Sequence, residues 1–167
     1  FGYDIFEAGG ELRKIAASGS VLGSTVKSYI DQGHLVPHEI IMQVVASAIA
    51  ARSKGQKILF DGIPRDEAQK NDFDVIMARE GRSFRCIHFL LSKEEATKRI
   101  LGRAVAEGRA DDADQAIIER RMSTFVTKTM PVIESYQKKN LVVDIDARAS
   151  VDEVYTHLVT AINDMQS

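Results

Sequence analysis

Apolar residues along this chain recur in two rhythms. Short, nearly continuous apolar runs at 3–6, 57–60 (KILF) and 86–91 (CIHFLL), with a further one in LVVDIDA at 141–147, predict strands. The two middle runs have the unbroken character of strands buried in a parallel sheet. Between the runs the apolar positions fall at helical spacing. Leu22, Val26, Tyr29 and Ile30 mark one face of a helix over 21–32, closed by Gly33. Pro37 opens the next helix, with Glu39 in its first turn, and that pattern runs to about 53. Further helices are predicted over 11–17, 66–79 with Gly81 beyond its end, from Ser92, over 117–139, and over 151–165. Ser92 and Glu95 have the spacing of a capping box, and Pro131 should bend or restart the helix it interrupts. Gly9 and Gly10 read as a turn, SGS at 18–20 as a stop, and EGRADDAD at 107–114 as a polar interruption. This alternation predicts one α/β domain, a parallel sheet flanked by helices, with four strands in all.

The strand KILF runs directly into DGIPR at 61–65. Loops at the carboxyl ends of parallel strands are where such sheets present chemistry. An arginine there can fork two N–H donors onto a phosphate, and an aspartate can hold a water of a metal shell. The plain alternative is a turn in which Asp61, Gly62 and Pro64 break the strand and Arg65 is merely exposed. Arg13, Arg99, Arg103, Arg109, Arg120 and Arg121 also fall in or beside loops and helix ends. A ring of guanidinium groups suits phosphoryl transfer, which depends mainly on positioning and charge stabilisation. Equally, Glu95 lies four before Arg99 and Glu107 four after Arg103, so ordinary surface pairing could absorb both charges.

Composition narrows the classes. Lys and Arg number 22 against 24 acids, a net charge of −2, so no bulk positive field favours nucleic acid. There is no tryptophan and no basic stripe interleaved with aromatics. No run approaches the ~18 apolar residues of a membrane span. Cys86 is the only cysteine, which excludes an internal disulfide, favours a reducing, cytoplasmic setting, and reads as a buried thiol rather than a nucleophile. His34 and His38 are four apart, but Pro37 starts the helix between them, so no metal site is expected there.

Taken in order, these motifs resemble the adenylate kinase family, within the nucleoside monophosphate kinases. EAGGELR at 7–13 is similar to the family's S-T-G-D-L-L-R, and the stretch at 18–40 to its S-G-S-x-L-G … G-x-L-V-P-D-E. DGIPR is similar to D-G-F-P-R, and RILGR, GRADD and T-x-P-V-I-x-x-Y at 129–136 continue the pattern. The resemblance implies a P-loop-kinase-like fold, with a helical monophosphate-binding region at about 7–53 and a short lid at about 104–114. It implies that Arg13 and Arg65 bind the AMP phosphate, that Gln69 reads the base, and that the backbone of His34, Leu35 and Val36 borders it. Ala8, Gly9 and Gly62 match further substrate-contacting positions. Arg99 and Arg103 match arginines on the ATP side, Arg109 the lid arginine beside Asp111 and Asp112, and Ala149 a backbone position near the ATP adenine. Asp61 matches an aspartate near the magnesium waters. Arg121 matches the next phosphate-clamping arginine counted back from Pro131, whereas Arg120 does so counted forward from GRADD. Arg65, Arg103, Arg109 and Arg121 form the implied catalytic set.

The implied reaction is reversible transfer from MgATP to AMP, giving two ADP, by an enzyme monomeric when complete. Four features qualify it. Ala8 replaces the usual threonine, as in many UMP/CMP kinases, so UMP/CMP kinase activity is one alternative and a non-catalytic AMP-binding module another. Gly10 replaces an aspartate of the magnesium-water network, and the lid lacks the Cys/His quartet of a zinc-bearing one. Finally, no G-x-x-x-x-G-K-[ST] occurs, and the first residue is Phe1. The expectation is a truncated chain without its first strand and phosphate loop. Its sheet would then have an empty slot between the strands at 57–60 and 86–91, and its activity would be largely lost.

Overall fold

A computed structural model describes residues 1–108 and 114–166. The predicted alternation is present: β1 (Tyr3–Glu7), α1 (Ala8–Ala16), α2 (Val21–Asp31), α3 (His38–Ala50), β2 (Lys57–Asp61), α4 (Glu67–Arg79), β3 (Cys86–Leu90), α5 (Lys93–Glu107), α6 (Gln115–Thr124), α7 (Met130–Gln137), β4 (Val142–Asp146) and α8 (Val151–Gln166). The strands form two parallel pairs, β1 with β2 and β3 with β4, so β2 and β3 are not hydrogen-bonded neighbours. The chain divides into two compact units, Phe1–Ser83 with Glu119–Val132, and Phe84–Ile118 with Ile133–Ser167.

In the first unit, β1 and β2 pair from Tyr3 opposite Lys57 to Glu7 opposite Asp61. Phe6 stacks obliquely on Phe60, centroids 5.6 Å apart, and Phe60 meets the edge of Phe73 from α4 at 5.3 Å. Such pairs contribute roughly 0.5–1.5 kcal/mol beyond burial. Ile41, Met42, Val45 and Ile49 form the buried stripe of α3, and Phe73, Ile76 and Met77 that of α4. Gly23 sits where α2 crosses α1: a Cβ there would lie 2.5 Å from the Ile15 carbonyl oxygen, so only glycine permits the approach. Ser20 caps α2, accepting from Gly23 N–H at 2.9 Å.

Gly9 and Gly10, expected to form a turn, lie instead in the first turn of α1, which follows β1 without a break. Their missing side chains leave room for Arg13 and Glu7, whose terminal atoms would lie 3.1 Å from a Cβ at Gly9 and at Gly10 respectively. Leu22, expected on the packed face of α2, is half exposed, while Val26 is fully buried.

Pro131 marks a restart, as expected, with α6 ending at Thr124 and α7 beginning at Met130. It is preceded by a π-helical segment, Phe125–Thr129, in which Met130 N–H donates to Phe125 O. Proline removes one backbone donor and crowds the carbonyl four residues back. One widened turn accommodates this, and helix continues on both sides.

In the second unit, β3 and β4 pair from Cys86 opposite Val142 to Leu90 opposite Asp146. Tyr136, Ile145, Ala147 and Ile162 are buried, and Phe84 meets Tyr136 edge-on at 5.3 Å. The apolar strands are not buried on both faces: Phe89 and Leu90 are 46% and 44% exposed, and Ile5 of β1 is 70% exposed. A two-stranded sheet has too little area for helices to cover both sides. Ser92 caps α5, but only half of the expected capping box forms, because Glu95 turns to Arg99 at 2.9 Å. The full reciprocal box occurs at α8, where Ser150 and Glu153 exchange hydrogen bonds in both directions. The Ser150 hydroxyl holds the Glu153 carboxyl below the ordinary range.

Candidate functional site

The register of the first unit brings the two chemically loaded segments to one edge. Glu7 and Asp61 are opposite neighbours at the carboxyl ends of β1 and β2, so the start of α1 and the DGIPR turn leave the sheet side by side. Ala8 is buried, and Glu7 makes no side-chain cap to α1. The first amides of α1 thus lie beside two glycines at a strand end, an arrangement suited to anions. Arg13, one helical turn further, reaches back to the Glu7 carboxylate at 2.8 Å.

The DGIPR turn is held as a constructed loop rather than a loose one. Gly62 has φ of +78°, a region costly for side chains, and a Cβ there would lie 2.6 Å from an Arg65 guanidinium nitrogen. The Ile63–Pro64 peptide is cis. Arg65 Nε donates to Gly62 O at 2.8 Å, and Arg65 N–H donates to the Gln69 side-chain oxygen at 2.7 Å. Gln69 is buried, at 3% exposure, and its own N–H is capped by Asp66 at 2.9 Å. Thr129 Oγ1 donates to Arg65 O at 2.8 Å. Asp61 and the Arg65 side chain remain exposed.

The segment expected to border the base lies in the same unit. His34 is exposed, Leu35 half-buried and Val36 buried, and His34 N–H donates to Tyr29 O at 3.0 Å beyond the end of α2. Arg120 donates to the Gln32 carbonyl, so it fastens the end of α2, while its neighbour Arg121 is half-buried.

The second unit carries the remaining positions. Arg99 is paired with Glu95 along α5, and Arg103 lies one turn further on. Ala149 follows β4, in a loop pinned by Arg148, which grips the Asp146 carboxylate through two nitrogens at 2.9 and 2.6 Å. That hydrogen bonding holds the Asp146 carboxyl far below the usual range. Burial, and then the charge of Asp144, push the Cys86 thiol above its ordinary value, which disfavours a thiolate nucleophile. Arg109, Asp111 and Asp112 lie outside the described residues. Among the described residues, no group of three or more His, Cys, Asp or Glu side chains could hold a metal ion. No helix among them is long and apolar enough to cross a membrane.

Against known proteins, the adenylate kinase family model matches residues 1–141. The chain belongs to the adenylate kinase family. It is 31% identical over 163 residues to an adenylate kinase of Phocaeicola vulgatus, covering 97% of this chain and 86% of that one. It is 35% identical over 165 residues to adenylate kinase isoenzyme 1 of Caenorhabditis elegans, covering 98% and 77%. It is also 31% identical over 164 residues to adenylate kinase isoenzyme 1 of Homo sapiens, covering 98% and 82%. Family membership makes it a phosphotransferase of the nucleoside monophosphate kinase class, a class that uses MgATP.

Three partners of the adenylate kinase residues are not apparent from the motifs alone. Glu7 restrains Arg13, Thr129 holds the Arg65 carbonyl, and the Gln32 carbonyl engages Arg120. A further restraint does have a local signature. Asp66-x-x-Gln69 is a capping-box spacing, although Gln69 reaches back to Arg65 rather than to Asp66.

Proposed function

We propose that the first unit is the acceptor site of an adenylate kinase, taking AMP in reversible phosphoryl transfer from MgATP to give two ADP. The observation that carries this reading is the strand register that sets the α1 N-terminus with Arg13 beside the DGIPR turn with Arg65. Helix amides and two guanidinium groups at one sheet edge are suited to a phosphate dianion. Arg13 and Arg65 would exchange their internal acceptors, Glu7 and Gly62 O, for phosphate oxygens. The oxygen of Gln69 is engaged by Arg65 N–H, which leaves its NH₂ to donate to N1 of adenine or N3 of cytosine. The backbone of 34–36, with Ala8, Gly9 and Gly62, would line the rest of the acceptor.

On the donor side, Arg99, Arg103, Arg109 and Arg121 are assigned to the phosphates of ATP and Ala149 to its adenine. Arg121 takes the phosphate position counted back from Pro131, with Arg120, counted forward from GRADD, as the alternative. Magnesium enters as part of the substrate MgATP, with Asp61 the carboxylate placed to meet its waters. Because these 167 residues contain no G-x-x-x-x-G-K-[ST], backbone donors for the ATP phosphates would be missing from a polypeptide of this sequence alone.

Equilibrium titration of this polypeptide with AMP, CMP and adenosine tests the reading. AMP should bind at least about tenfold more tightly than adenosine, the difference expected of a charge-assisted phosphate contact, and Arg65→Ala should reduce that preference. CMP binding more tightly than AMP would favour the UMP/CMP kinase alternative. In a coupled ATP-plus-AMP assay the polypeptide should turn over far more slowly than the complete relatives. Ordinary turnover would refute the assigned need for the missing loop.

A further inference from the structure

Four threonines of this protein bond back along their own helix. Thr25, Thr127, Thr156 and Thr160 each donate the hydroxyl to the backbone carbonyl four residues earlier, at 3.1, 2.8, 2.9 and 3.0 Å. Thr129 differs. Its hydroxyl goes instead to Arg65 O, 64 positions away in sequence, at 2.8 Å. That peptide is thereby held at both of its residue's polar groups, since Arg65 N–H is taken by buried Gln69.

We propose that Thr129 is a positioning residue for the acceptor arginine. This rests on the reading of Arg65 as a phosphate ligand. With N–H and C=O both fixed, the arginine's main chain cannot rotate, so its guanidinium swings from Gly62 O to an incoming phosphate about a stationary base. Placing binding groups on a main chain already ordered reduces the entropy lost on binding. Thr129 touches neither phosphate nor base in this scheme and acts only through Arg65.

The test uses binding, which does not depend on turnover. Thr129→Val keeps the shape and removes the donor, and Thr129→Ser keeps the donor. Thr129→Val should weaken AMP binding by about tenfold, the effect of one ordinary hydrogen bond, while leaving adenosine binding unchanged. Thr129→Ser should restore AMP affinity to within about twofold on the same scale. In an Arg65→Ala background, Thr129→Val should have no further effect on AMP, because residues acting through one another are not additive. Should Thr129→Val fail to fold, Thr129→Ala carries the same expectations. A wild-type preference for AMP over adenosine that survives both substitutions would overturn the proposal alone. So would equal weakening of AMP and adenosine, which marks a merely structural role. A wild-type chain with no such preference would overturn the acceptor reading and this proposal with it.

Discussion

The two units handle their arginines differently. In the first, Arg13 reaches Glu7, Arg65 is tied to Gly62, Gln69 and Thr129, and Arg120 closes the end of α2. These ties rest on elements whose faces are deeply buried, from Phe6 in β1 through the stripes of α3 and α4. In the second unit, Arg99 makes an i, i+4 pair on the surface of α5, a contact of the kind that contributes a few tenths of a kcal/mol. Leu101 and Val105 on the same helix are exposed. The difference teaches that an arginine is set for recognition less by its own contacts than by whether its main chain is fixed to a well-packed frame. In the first unit Arg65 meets that condition through Thr129, a contact with a distant element.

The strongest way to break this contrast is to remove core volume. Ile41→Ala, at a fully packed position of α3, should cost about 2–5 kcal/mol in urea unfolding. Leu101→Ala, at 42% exposure, should cost about 1 kcal/mol or less. Equal costs would erase the distinction between the two frames. Glycines give a sharper and smaller test. Gly62→Ala must place a Cβ 2.6 Å from the Arg65 guanidinium at a φ of +78°, so it should lose about 1–2 kcal/mol and weaken AMP binding. Gly102→Ala, in the interior of α5 with nothing within 4 Å of its Cβ, should instead gain roughly 0.5–1 kcal/mol and leave AMP binding alone. If Gly62→Ala is silent in both measurements, the turn is not the rigid mount described above.

The smallest effect is a matter of rate. The Cys86 thiol is held above the ordinary cysteine range by burial and Asp144, so less thiolate is present at any given pH. Alkylation of the native protein should be slower at pH 8 than that of the urea-unfolded chain, and its pH midpoint should lie above about 8.5. Native alkylation as fast as in urea would show that the second unit opens readily, and would widen the contrast with the first.

Much of this was legible in sequence for local reasons. The strands at 57–60 and 86–90, the helix after Asp66 and the stop at Gly81 follow from apolar runs, a cap and a glycine, all within a few residues of one another. The motifs that place the chain in its family are contiguous too. What escaped was non-local or competitive. Glu95 had two possible partners, Ser92 and Arg99, and spacing alone does not rank them. The helical start at Gly9 and Gly10 depends on side chains at Glu7 and Arg13 filling the space that those glycines leave. The restart at Pro131 was expected, but the π-helical turn before it is not announced by composition.

By itself, then, the order of residues determined the elements, the family and the chemical character of the candidate ligands, because each depends on neighbours along the chain. Only the tertiary structure decided that Glu7 and Asp61 stand side by side, that Gln69 is buried beneath Arg65, and that Thr129 reaches the Arg65 carbonyl. The first and last of those relations join segments 54 and 64 residues apart, and a hydrogen bond's direction and length are set only when packing has brought its two ends together.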